Sequence, residues 1–149
     1  MTEEINFWTT RCEYGWMSNF YRAGLDIEGV HYPTVEHFYQ SSKCTDTADW
    51  VAIRDAATPA EAKRLGQTAS MRWDWERVKV RVMRKALRAK FSQNPALGRM
   101  LVATGDAVIH EDSPTDLFWG KLGKDMLGKL LMEVRDELST NLGLRGGVL

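Results

Sequence analysis

The sequence predicts a mainly α, compact single-domain fold with one small β-hairpin element near its N-terminus. Three observations lead there. Apolar residues recur at helical spacing over most of the chain beyond residue 33. Pro or a capping Thr or Asp stands before several of those stretches. Strand-like alternation is confined to a few short pieces. The length of 149 residues suits one domain, and 44% hydrophobic with 27% charged residues is an ordinary globular balance.

Taken in order, Ile5-Asn6-Phe7-Trp8 reads as a strand. Residues Leu25 to Tyr32 read as a hairpin with Glu28-Gly29 at the turn and apolar residues at alternating positions. Pro33-Thr34 opens a helix to about Cys44, with Pro in the first turn where its missing N–H is not needed. Thr45 or Asp46 can cap a short helix through Trp50 and Ile53. Thr58-Pro59-Ala60-Glu61 starts a third helix, ending near Gly66. The longest helix runs from Asp74 to about Gln93, with Trp75, Val78, Val82, Ala86 and Ala89 or Phe91 on one side. A short helix follows Pro95 and stops at Gly105, and Val108-Ile109-His110 is a brief strand. Asp112 to Gly123 is a loop, and the last helix covers Met126 to Leu138. Residues 143–149 read as a loose tail.

Charge and cysteine content exclude several function classes. Lys+Arg and Asp+Glu are 20 each, which argues against bulk electrostatic capture of nucleic acid, although a local basic stripe is compatible with it. Cys12 and Cys44 form no CxxC pair and read as reduced thiols of a cytoplasmic protein. The acidic N-terminus leads into no long apolar stretch, so neither a secretory signal nor a membrane span is expected. His31, His37 and His110 are scattered, so no metal site and no cofactor is expected. Six tryptophans are many for this length, and several should line a pocket or the core beside it.

No general catalytic motif is present, but four segments differ from filler. Gly15-Trp16-Met17-Ser18-Asn19-Phe20 sets small polar groups among aromatics, able to bond a base or ribose and stack on it; the ordinary reading is an apolar strand with a turn at Asn19. In the second, Glu36, Tyr39, Gln40 and Lys43 fall at i, i+3, i+4 and i+7 and share one helix face. A buried Glu there suits a general acid, and a desolvated Lys suits an amine nucleophile. The ordinary reading is a solvated face with a Glu–Lys pair. The third is the basic stripe Arg77, Arg81, Arg84 or Lys85, and Arg88, which can hold phosphates but reads first as the wet side of an amphipathic helix. Arg81 and Lys90 lie nearer its apolar edge. The fourth, Glu111 to Gly120, can present an acid, a ring and helix-terminal N–H groups together, or can be a capped loop anchored by Trp119.

Together these segments resemble the YbiA-like, or NADAR, family. The matching pieces are Ser18-Asn19-Phe20; Glu36-His37-Phe38-Tyr39-Gln40 with Lys43; Trp75-Glu76-Arg77-Val78-Lys79; and Val82-Met83-Arg84-Lys85-Ala86-Leu87-Arg88-Ala89-Lys90-Phe91-Ser92-Gln93-Asn94-Pro95. Ala103-Thr104-Gly105, Asp116-Leu117-Phe118-Trp119-Gly120 and Leu127-Gly128-Lys129-Leu130-Leu131-Met132-Glu133-Val134-Arg135 complete the set. Each is weak alone; their order, from Phe7 to Leu138, is specific.

The resemblance implies a compact, mostly α fold and N-glycosidase chemistry at the bond between a phosphorylated ribose and a nitrogen base. Two substrate classes follow from it: ribosylamino-pyrimidine intermediates of riboflavin synthesis, and ADP-ribose on guanine, in nucleotides or modified nucleic acid. It carries over a catalytic set of Glu36, Asp116, Lys43 and Lys90. It carries over binding roles for Asn19, Trp75, Arg81, Trp119 and Gly120, with Arg81 as a phosphate partner. In the route that breaking such a C–N bond suggests, Lys43 or Lys90 forms a Schiff base at the anomeric carbon and Glu36 shuttles protons to the leaving nitrogen; if Glu36 acts directly with water instead, no lysine adduct forms. Asp116 holds ribose hydroxyls or activates water, and Trp75 and Trp119 clamp base or sugar. The alternative is a non-catalytic module that binds ADP-ribose or NAD-type nucleotides. One departure stands out: many members carry a glycine-rich insert after Trp-Gly, whereas here Lys121 to Met126 is short, and Asp125 stands where Asn is frequent.

Overall fold

The computed structural model describes the backbone of residues 2–148 and the side chains as far as Asn141. Its described residues form six α-helices and four short strands, the mainly helical class that the apolar spacing predicts. By its internal contacts the chain divides into two compact units, one of residues 1–18 with 91–149 and one of residues 19–90.

In the 19–90 unit, strands β2 (Leu25–Ile27) and β3 (Val30–Tyr32) form the expected hairpin. Glu28 and Gly29 both have positive φ, 52° and 81°, as a two-residue turn that matches strand twist requires. Helix α1 is Val35–Ser42. Pro33 is not in its first turn. Thr34 is extended and serves as the N-cap, accepting from the His37 N–H, so the helix begins two residues later than Pro33 suggests. Helix α2 (Thr47–Arg54) is capped by Asp46, and helix α3 (Pro59–Thr68) by Thr58 with Pro59 at its start.

Gly66 does not end α3, which runs to Thr68. A Cβ at Gly66 would lie 2.0 Å from Gln40 Oε1, so the glycine makes room for α1. Helices α1, α2 and α3 pack on one another, and Val35 to Ser41 of α1 are all buried. His37 is a packing residue: Nδ1 meets Thr34 Oγ1 at 2.8 Å, Nε2 meets the Ala56 carbonyl at 3.0 Å, and burial lowers its pKa. Helix α4 (Trp75–Gln93) buries a wider arc than the predicted stripe, with Met83, Leu87 and Lys90 inside and Val82 only half-buried.

In the other unit, β1 (Glu4–Phe7) pairs in parallel with β4 (Val108–Glu111), Ile5 opposite Ile109. Helix α5 (Pro95–Ala103) packs on α6 (Met126–Val148), which also packs on β4. A Cβ at Gly128 of α6 would lie 2.0 Å from the Ile109 carbonyl, so glycine permits that approach. Arg135 is 5% exposed and donates to Thr104 Oγ1 and the Ala107 carbonyl. No helix among the described residues is long and apolar enough to cross a membrane. The expected loose tail, 143–149, lies outside the residues whose side chains are described.

Candidate active site

The face of α1 that reads as solvated in the ordinary view is buried. Glu36 is 6% exposed and Gln40 likewise, and Gln40 Nε2 donates to Glu36 Oε1 at 2.8 Å. The cause is local: hairpin, α2 and α3 surround a helix of only two turns. Glu36 also sits in the first turn, where unpaired N–H groups favour a negative charge. Its own N–H donates to the Asn19 carbonyl at 3.1 Å, which ties Asn19 to the start of α1.

Asn19 leaves a polar atom inside this unit. Its Nδ2 reaches only the weak acceptor Met83 Sδ at 3.6 Å, and its Oδ1 is buried with no hydrogen-bond partner among the described residues. An amide so placed can bond a ligand hydroxyl or amine without breaking an internal bond.

Two amines are desolvated in the same unit. Lys43 is half-buried at the end of α1, with Nζ 3.3 Å from the Gly66 carbonyl. Burial pushes its pKa down, and the nearby Glu36 carboxylate partly opposes the shift. Lys90 is fully buried on α4, and burial brings its pKa down to about 7. The Tyr21 ring centroid lies 5.8 Å from its Nζ. Trp75, 4% exposed, packs on Tyr39 with centroids 5.0 Å apart. Asn19, Glu36, Lys43, Trp75 and Lys90 thus belong to one compact unit.

Arg81 is in that unit but on another side. It is exposed and lines a groove with Tyr32, Phe38, Trp50, Val78 and Lys85, none of them in the expected site. At about 100° per residue, Phe38 points some 200° away from Glu36 on α1.

Asp116, Trp119 and Gly120 belong to the other unit. Asp116 Oδ1 accepts the N–H groups of Phe118 and Trp119, at 2.9 and 2.8 Å, so this carboxylate shapes its own loop. Ser113 Oγ holds the Thr115 and Asp116 N–H groups. Trp119 packs edge-on against Phe118, centroids 4.8 Å apart, and its carbonyl accepts from the Leu127 N–H. A Cβ at Gly120 would come within 2.5 Å of the Asp116 carbonyl, so glycine lets the loop fold back. Asp125, with φ of 55°, accepts from His110 Nδ1 through Oδ2 at 2.5 Å, a pairing that the frequent Asn would make without charge.

The expected set omits Gln40 as a site residue and Gly66 altogether. Gln40 could be found from its i+4 spacing to Glu36; Gly66 carries no local signal, because its reason is a neighbour 26 positions away.

The chain is similar to known proteins over most of its length. An N-glycosidase of Nostoc punctiforme is 41% identical, over 95% of this chain and 97% of its own. The Escherichia coli N-glycosidase YbiA is 42% identical over 91% and 88%. The solution structure of that YbiA superposes with a TM-score of 0.86 at 40% identity, covering 95% of this chain and 88% of that one. A riboflavin biosynthesis protein of Vibrio vulnificus is 37% identical over 93% of this chain, which spans 39% of that longer protein. The class these relatives define is that of the N-glycosyl hydrolases, and this chain is an enzyme of that class. The NADAR domain family matches residues 6–139, and the chain belongs to that family.

Proposed function

We propose that the enzyme cleaves the C–N bond between the anomeric carbon of a phosphorylated ribose and the amino nitrogen of a base. The substrate classes are ribosylamino-pyrimidine intermediates of riboflavin synthesis and ADP-ribose on guanine. The observation supporting this most directly is that a buried acid, Glu36, in the first turn of α1 and a reachable amine, Lys43, at its C-cap, whose proton is loosened by burial, stand on one helix.

An N-ribosylamine opens by breaking the bond from the anomeric carbon to the ring oxygen; that oxygen takes the electron pair and a proton from the Glu36 carboxyl, which leaves a protonated imine to the base nitrogen and a Glu36 carboxylate. The neutral Lys43 amine adds to that carbon. Glu36 moves a proton from the adding amine to the base nitrogen, and the base departs with the electrons of its C–N bond. A lysine–ribose imine remains. Water adds to it, the amine leaves, and the sugar closes again. Lys90 is the other desolvated amine, but with no exposed surface it reaches a sugar carbon only after the unit opens. Asn19 offers its free Oδ1 to a hydroxyl or amine, and Trp75 holds Tyr39 in place. Asp116, Trp119 and Arg81 enter through the family resemblance alone.

The test is borohydride reduction during turnover, followed by peptide mass mapping. The expected result is one ribose-derived adduct on Lys43. An adduct on Lys90 transfers the nucleophile's role, and turnover with no lysine adduct means that Glu36 activates water directly. Parallel assays of a ribosylamino-pyrimidine phosphate and ADP-ribosyl-guanosine decide between the substrate classes. Release of base from neither refutes the assignment.

A further inference from the structure

The groove beside Arg81 is lined by none of Asn19, Glu36, Lys43, Trp75 and Lys90, and its lining has the composition of a binding site. Its volume is about 550 Å³, within the range of small-ligand sites. Every lining residue lies between Ile27 and Lys85, inside one compact unit. The floor is apolar and aromatic. Tyr32 packs edge-on against Phe38 with centroids 5.1 Å apart and against Trp50 at 6.5 Å, and Val78 and Val82 close it from α4.

The rim is cationic. Arg72, Arg81 and Lys85 line it against a single carboxylate, Glu28. Glu28 is committed to Lys85 at 2.7 Å, and Arg72 is paired with Asp74 at 2.6 Å. Arg81 has no ion-pair or hydrogen-bond partner among the described residues. Its planar fork is therefore ready for a two-pronged contact with phosphate oxygens, with Lys85 one helical turn further along the same face. Ser41 and Ser42 add hydroxyls at the α1 wall, although both already donate to the Phe38 carbonyl and remain only as acceptors there.

We propose that this groove is a second binding site, which takes a nucleoside diphosphate with its phosphates on Arg81 and Lys85 and its base against the Trp50–Tyr32 wall. Charge complementarity chooses an anion, since Arg81 remains uncompensated once Glu28 is matched to Lys85 and Asp74 to Arg72. The aromatic floor chooses a ligand with a flat apolar body over a bare anion. The volume limits it to about one nucleotide. Because Phe38, Ser41 and Ser42 lie on the side of α1 away from Glu36, the site works independently of the acid.

Calorimetric titration of the full chain with ADP, adenosine and inorganic phosphate tests this, on the wild type and on the R81M, R81K and E36Q variants. ADP should bind saturably, with adenosine and phosphate each at least tenfold weaker. R81M should weaken ADP about tenfold, R81K less, and E36Q should leave the affinity unchanged. Arg81 is exposed, so these changes leave the core untouched. Failure of ADP to bind, or equal affinity in wild type and R81M, overturns the proposal. Loss of ADP binding in E36Q overturns it too, by placing the nucleotide on the acid's side, and leaves the proposed reaction standing.

Discussion

Lys90 should make the folded chain less stable than it need be, and replacing it with Met tests that quantitatively. Burial takes its pKa from 10.5 to about 7. At about 1.4 kcal/mol per unit, holding the amine in this site costs about 5 kcal/mol below pH 7. Met has nearly the same length and no charge to desolvate. Bonds made by the amine are lost in K90M, at about 1 kcal/mol each. The variant should therefore unfold at a free energy about 2–4 kcal/mol above the wild type at pH 7, read from urea denaturation. The pH dependence gives a second reading. Between about 7 and 10.5 the unfolded chain holds the Lys90 proton and the folded chain does not, so unfolding takes up a proton. Wild-type stability should then rise with pH through that window relative to K90M, and the difference between the two should be flat below it. A K90M chain less stable than wild type at pH 7, or a stability difference that does not change from pH 7 to 10, refutes the desolvation argument.

Other outcomes follow from single contacts. Glu36→Gln keeps a group that can meet Gln40 but cannot shuttle a proton, so kcat should fall by about 10²–10⁴ with little change in Tm. Asp116→Ala frees the Phe118 and Trp119 N–H groups and should cost about 1–2 kcal/mol in thermal unfolding, whereas Asp116→Asn keeps an acceptor oxygen and should cost little. Gly66→Ala gains about 1 kcal/mol of helix propensity but drives a methyl into Gln40; activity should fall, and adding Gln40→Ala should restore stability but not activity. Thr34→Ala removes the α1 cap and a His37 partner and should lower stability by about 1–2 kcal/mol in denaturant titration.

The helices were legible because their signals are local. Thr58 with Pro59, Asp46, and the turn pair Glu28-Gly29 act over two to four residues, and the structure uses each where the pattern puts it. The boundaries that differ have tertiary causes. Gly66 looks like a stop but accommodates Gln40, and Pro33 looks like a first-turn residue but precedes the cap. Helix α6 continues past Leu138 because Ser139, Thr140 and Asn141 contain no breaker.

The site residues divide along the same line. That Glu36, Gln40 and Lys43 share a face is helix arithmetic and can be read from spacing; that the face is buried depends on α3, twenty residues on, and cannot. Lys90 lies between the two cases: its place at the apolar edge can be read from spacing, its complete burial cannot. It continues a basic run of Arg84, Lys85 and Arg88, and by composition it differs from them in nothing. What separates it is its angular position: about 60° round from Trp75 on α4, on the buried arc with Met83 and Ala86, away from water. Arg81 lies on the opposite flank of that helix, which is why two cations that look alike at the apolar edge end as a desolvated amine and an open phosphate-binding fork. The basic stripe is therefore not one feature with one role, and stability and binding measured on R81M and K90M should separate completely: R81M should change nucleotide affinity and not stability, and K90M should change stability and leave the affinity of the Arg81 groove alone.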